Sequence, residues 1–139
     1  KTNATTQNGF WFEKGNVNTQ YALFQEGANI TWRHTTNVGS LTAPCASYMN
    51  TTQYAQVVGT YTAGDRRIYV NGVQVYSAAL TGAIGNTYAN DLRIGARNAP
   101  GSPTSVFKGY IARVEIYNVA LSSTEVLQVF NNGRQRFGI

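Results

Sequence analysis

The sequence predicts an all-β fold, a two-sheet antiparallel β-sandwich (jelly roll) with one short C-terminal helix. Three observations predict it. An Asn71-Gly72 pair sits between two strand-like runs, short apolar runs recur with turn residues between them, and helical spacing is confined to the C-terminal stretch.

In chain order, residues 9–14 (GFWFEK) form an aromatic run that reads as a strand, with a turn over 15–18. Residues 21–24 and 28–35 follow as strands divided by Glu26-Gly27, and in the second Ile30, Trp32 and His34 share one face. Residues 36–50 are rich in Thr, Ser, Gly and Asn, a long connection with room for one short edge strand. Residues 52–61 read as a strong strand and 62–65 (TAGD) as its turn. Residues 67–70 and 73–77 then flank Asn71-Gly72, the pair that best tolerates the positive φ of both central positions of a type I′ turn. A two-residue loop sets Val70 against Val73, Tyr69 against Gln74 and Ile68 against Val75, with the four aliphatic residues expected to face the core.

Residues 81–90 read as a Gly/Asn loop, 92–96 as a strand, and 98–105 as a loop carrying Pro100 and Pro103. Residues 107–117 are expected to be the longest strand, with Tyr110, Ala112, Val114 and Ile116 on one face and Gly109 as a bulge or close-approach point. Ser122-Ser123-Thr124-Glu125 reads as a capping box, with Val126, Leu127 and Phe130 at helical spacing and Gly133 as the stop.

At 139 residues the chain is expected to be one domain. It is 42% hydrophobic and only 12% charged, so it can build a core while its polar surface is supplied by Asn, Thr, Gln and Ser. The formal charge of +5 does not gather into a basic stripe beyond Arg66-Arg67 and Arg134 with Arg136, which argues against nucleic acid as a partner. The single cysteine, Cys45, excludes an intrachain disulfide, and with one histidine the spacing of a structural zinc site is absent. No apolar run approaches the roughly 18–20 residues of a membrane span, and residues 1–8 lack the apolar stretch of a signal peptide.

Five motifs carry a family resemblance: Gly59-Thr60-Tyr61; Ile68-Tyr69-Val70-Asn71-Gly72; Leu92-Arg93-Ile94-Gly95; Phe107-Lys108-Gly109-Tyr110-Ile111; and the run from Ile116 to Ser122. Taken in order, they resemble the concanavalin A-like lectin/glucanase superfamily in its laminin G-like jelly-roll branch, over about residues 9–131. The resemblance implies a single laminin G-like β-sandwich domain over residues 1–139 that lacks the family's usual first strands. It also implies that 107–117 needs a neighbouring strand, from residues 1–8, from another chain, or from a preceding region of a longer protein. Ala112 stands where the family often has an acidic residue. The closing segment, Glu125 to Ile139, is similar to the C-terminus of sandwich domains in virion proteins of marine bacteriophages.

The superfamily's glucanases use two carboxylates close together on one strand. Here Glu13, Glu26, Asp65, Asp91, Glu115 and Glu125 are the acidic residues, and no two fall within five positions of each other. Ser/His/Asp catalysis has only His34 to draw on, and no nucleophile elbow surrounds it. The chain is therefore read as not an enzyme. No cofactor is expected; Asn90-Asp91 could form at most a weak calcium site, and Asp91 reads better as ordering the turn before residue 92. Glycan binding needs an aromatic face with Asn, Asp or Arg beside it, and the expected set is Tyr88, Asn90, Asp91, Arg97 and Asn98, on loops bounding one strand. Tyr48 is a further loop candidate, and Trp11 and Trp32 are strand candidates, though a Trp in a sandwich is more often core. Three Asn-X-Ser/Thr sequons, at Asn3, Asn29 and Asn50, matter only in a eukaryotic secretory pathway. The expected role is a virion or extracellular-surface structural module with weak glycan adhesion. Its partners would be other virion or surface chains and cell-surface glycans, within an assembly. The alternatives are a purely structural capsid or fibre decoration and, less favoured, a glycoside hydrolase.

Overall fold

The structure, a computed structural model, describes residues 1–3, 7–15, 21–34, 40–43, 46–48, 52–79, 91–97 and 104–139. Among these lie eight strands: β1 (Gln7–Lys14), β2 (Tyr21–Gly27), β3 (Asn29–His34), β4 (Ser40–Ala43), β5 (Val57–Thr62), β6 (Asp65–Val70), β7 (Val73–Ala78) and β8 (Leu92–Ile94). A 3₁₀ turn spans Ala46–Tyr48, and helix α1 (Ser123–Phe137) follows the strands. One sheet has the order β4-β3-β2-β1-β8 and the other β5-β6-β7, all pairs antiparallel. The predicted two-sheet β-sandwich with one C-terminal helix is the observed fold. β4 is the short edge strand expected within 36–50.

Alternation along β2 and β3 decides the core. Leu23, Ile30 and Trp32 project from one face of the large sheet onto Ile68 and Val70 of β6, with Ala43 beside them. Each such aliphatic side chain contributes roughly 1.5–3 kcal/mol by leaving water. Gly59 of β5 lies flat on the Trp32 indole, where a Cβ would come within 2.7 Å of a ring carbon. The other face of the large sheet buries Phe10, Ala22 and Phe24, the two phenyl rings stacked at 4.3 Å and 4°.

The hairpin turns as predicted, with Asn71 at φ 51° and Gly72 at φ 79°. Val70 pairs with Val73 and Tyr69 with Gln74, but a bulge at Val75 sets Ile68 against Tyr76 instead. The bulge takes up the twist of an outer strand. Val73 is 61% exposed rather than in the core, because it stands beside the turn on that outer strand. The strand expected over 52–61 begins only at Val57, since its partner β6 ends at Val70. Beyond that point Asn71 takes over: Gln56 N donates to Asn71 Oδ1 (2.9 Å) and Asn71 N donates to Gln56 O (3.0 Å).

Helix α1 starts on the predicted capping box, with Glu125 N donating to Ser122 Oγ and Ser122 N donating to Glu125 Oε2. It does not stop at Gly133. It runs on to Phe137 and is capped by Gly138 in the left-handed conformation (φ 68°), a mid-helix glycine costing only about 1 kcal/mol. Val126 is its buried anchor, and Leu127 and Phe130 pack over Gly72 of the hairpin turn.

The largest difference from expectation concerns residues 107–117, which do not form a strand. Only the start of the segment is paired: Val106 bridges Phe10, and Gly109 bridges Thr2 in antiparallel fashion. A ladder needs a partner along its whole length, and Lys1–Asn3 supply one for three residues only. Gly109 is a close-approach point, as a Cβ there would meet the Lys1 carbonyl oxygen at 2.5 Å.

Candidate functional site

The Trp32 indole, with Gly59 of β5 seated on it, also lines a cleft in the sandwich. The cleft holds about 410 Å³, and its lining includes Trp11, Phe12, Tyr61, Phe107, Tyr110 and Phe130. β5 forms one wall and residues 110–121 another. Such a wall favours uncharged, partly apolar surfaces over ionic ligands.

Against Tyr61 and Trp32, His34 is 2% exposed, its ring 4.2 Å from that of Tyr61 and 5.6 Å from that of Trp32. Burial, and secondarily the neighbouring Arg66 guanidinium, lower its pKa to about 4. The imidazole is therefore neutral at pH 7, and neither ring nitrogen has a hydrogen-bond partner among the described residues. A base needs a carboxylate or carbonyl to orient it. Here the neighbours are aromatic rings and a cation, so His34 reads as a packed residue.

Five of the six carboxylates have a polar partner among the described residues. Glu13, fully buried on β1, lies 3.7 Å from Arg97 Nε. Glu26 accepts from Thr31 Oγ1 (3.2 Å), Asp65 pairs with Arg67 (2.6 Å), and Glu115 pairs with Arg113. Glu125 is committed to the helix cap, where the Ser122 hydroxyl and then its backbone hold the carboxyl below the usual range. Asp91 alone stands exposed with no such partner among the described residues. Among the described residues no three His, Cys, Asp or Glu side chains gather as a metal site, and no helix is long and apolar enough to cross a membrane.

Of the expected glycan residues, Tyr88, Asn90 and Asn98 lie outside the described residues, as does Cys45. Asp91 is exposed immediately before β8, where the turn-ordering role also places it. Arg97 is half-buried, its side chain 29% exposed. Its backbone bridges Thr104, and its guanidinium lies near Glu13 and 5.7 Å from the Phe10 ring centroid. Tyr48 is exposed, Trp32 is core, and Trp11 is half-buried edge-on to Phe107 at 6.1 Å. Sequence reasoning missed the stack in which Arg33 (4.7 Å) covers Phe24 and Arg97 covers Phe10. Pairing residues 10 and 24 across a β1–β2 hairpin would have revealed it.

A laminin G family model, described as the concanavalin A-like lectin/glucanases superfamily, matches residues 1–127. No curated protein sequence matches the chain. A solved structure of an S-layer domain-containing protein (residues 221–444) from Clostridium thermocellum is similar, with a TM-score of 0.51 and 16% identity. The likeness covers 94% of this chain and 65% of that one, and at this identity it speaks to the fold.

Proposed function

Because the chain belongs to the concanavalin A-like lectin/glucanase superfamily, we propose that it is a non-catalytic structural and adhesive module of an extracellular or particle surface. It holds neighbouring chains and contacts glycans weakly through the loops flanking β8. The spacing of the acidic residues in the sequence, no two within five positions of each other, carries the first part of this reading. Glycoside hydrolysis requires two carboxyl groups about 5–9 Å apart across a groove. Five of the six here are engaged in capping, pairing or hydrogen bonds on separate elements. The S-layer description of the similar solved protein favours a surface setting. The likeness of the closing segment to marine bacteriophage virion proteins favours a viral particle as that surface.

Exposed Asp91 beside β8 is the residue offered to a sugar hydroxyl. Displayed multivalently on a glycan array, the chain is expected to bind a subset of glycans. Asp91→Ala should weaken that binding by about tenfold, the loss of one charge-assisted hydrogen bond. Release of reducing sugar from β-glucans by the isolated chain would overturn the non-catalytic reading. A blank array in the multivalent form would leave the purely structural role, which the exposed Ile116, Tyr117 and Val119 favour because they offer a neighbouring chain an apolar surface.

A further inference from the structure

His34, the chain's single histidine, sits in the interior where strands end. It is the last residue of β3, Tyr21 opens β2 and Lys14 closes β1. The three stand in one cross-strand row, Lys14 opposite Tyr21 and Tyr21 opposite His34. From the smaller sheet the Tyr61 ring meets the imidazole at 4.2 Å, and Arg66, paired with Tyr61 across β5 and β6, is 5% exposed. One pair further on, Thr62 and Asp65 end those strands. Trp32, two residues back on the same face of β3, lies 5.6 Å from the imidazole.

The groups in this row and across from it are neutral or cationic. Burial raises the pKa of Tyr21, which stays protonated, and Lys14 and Arg66 are cations. Asp65 and Glu13 adjoin Arg66 and Lys14 in sequence and so face the other way along their strands. The carboxylates of these strands are held there, Asp65 by Arg67, Glu13 beside Arg97 and Glu26 by Thr31. Neither imidazole nitrogen nor the Trp32 indole N–H has a partner among the described residues. A second proton on His34 therefore makes a buried cation near Arg66 with nothing to accept its hydrogen bonds. Water at an opened strand end supplies those acceptors.

We propose that this end of the sandwich is an acid-operated seam: a proton on His34 parts β3 from β5 and β6 around Tyr61 and Arg66, while the hairpin end stays closed. Two features confine the opening. The residues involved lie at strand ends, which open at lower free energy than strand centres. Towards the hairpin, Ile68 and Val70 are fully buried in the core cluster. The opening widens the cleft at its His34 end, because Tyr21, Trp32 and Tyr61 line that cleft as well as surrounding the imidazole. The open form takes its proton near 6.5 and the closed form near 4. The opening constant therefore rises as the pH falls between those values, by at most about 300-fold, and is level outside them. None of this depends on glycan binding.

The test is hydrogen exchange of the 139-residue chain, read by mass spectrometry and corrected for the intrinsic pH dependence of amide exchange. Between about pH 7 and about pH 4.5, corrected exchange in residues 30–34 and 59–66 is expected to speed by about 50-fold, and in residues 68–76 by less than about threefold. His34→Phe, a neutral ring among rings, should abolish the acceleration. Arg66→Met removes the neighbouring cation, so it should raise the pH at which the His34 ring titrates by NMR and shrink the acceleration. No acceleration in the native chain, or one that is equal in both segments or survives His34→Phe, would overturn the proposal. So would a native His34 ring that titrates near its ordinary value, a result that needs no variant. Inorganic phosphate that raises the ring's titration point and slows exchange in 30–34 would also overturn it, assigning the cluster to an anion instead of an opening.

Discussion

The Asn71-Gly72 hairpin and the 107–117 segment carry much the same strand composition, yet one is a ladder and the other is not. β6 finds its partner across a two-residue turn, so closing the loop costs little entropy and the ladder runs from Val70 to Arg66 with one bulge. Residues 107–117 must be met by chain more than a hundred positions away, and Lys1–Asn3 reach them over three residues only. β-branched and aromatic side chains therefore make a strand possible without making it happen. The partner decides.

The sharpest way to break the comparison is a matched pair of truncations. Ile68→Ala on β6 removes a fully buried side chain and is expected to cost about 3–4 kcal/mol in chemical denaturation. Ile116→Ala, at a residue 47% exposed, should cost less than about 1 kcal/mol. Similar values for the two would mean that 107–117 is as tightly built in as the hairpin.

A smaller effect tests the seam where β3 meets β5 and β6. The unfolded His34 imidazole takes up its proton near 6.5, while the folded one holds off until about 4. Stability is therefore level above about pH 6.5, falls as the pH drops towards 4, and flattens below. The shift caps the loss at about 3 kcal/mol. His34→Phe should remove that part of the slope in denaturation measured across the same range. An unchanged slope would place the acid sensitivity elsewhere.

Smaller again is Ser122→Ala, which removes the helix cap. It should cost about 1 kcal/mol and return the Glu125 carboxyl towards its ordinary range, visible by NMR titration. Helix α1 rests on the hairpin turn through Leu127 and Phe130, so frayed exchange at its first turn should leave β6 and β7 amides unaffected.

What the sequence made legible follows the same division. The hairpin turn, the capping box and the faces of β3 were readable because short-range rules govern them. The bulge at Val75 was not, because it answers to sheet twist rather than to any local residue. The helix passed Gly133 because a better terminator, Gly138, lay five residues on. At the site, the absence of two acidic residues close together on one strand was plain from spacing alone. The seating of Arg97 beside Glu13 was not, since Glu13 lies 84 positions earlier and β8 brings it alongside from β1.

The close seating of Gly59 on Trp32 has an optical consequence. The Trp32 indole lies against backbone with no partner for its N–H among the described residues, whereas Trp11 is half-buried at the open side beside Phe107. These are the chain's two tryptophans, one for each of the contrasted regions. Trp32 should emit at short wavelength and resist quenching by iodide. Trp11 should emit further to the red, yield to the quencher, and shift blue when 107–117 is covered. Replacing either by Phe leaves a single emitter, so the native chain carries its own gauge of which half of the sandwich has opened.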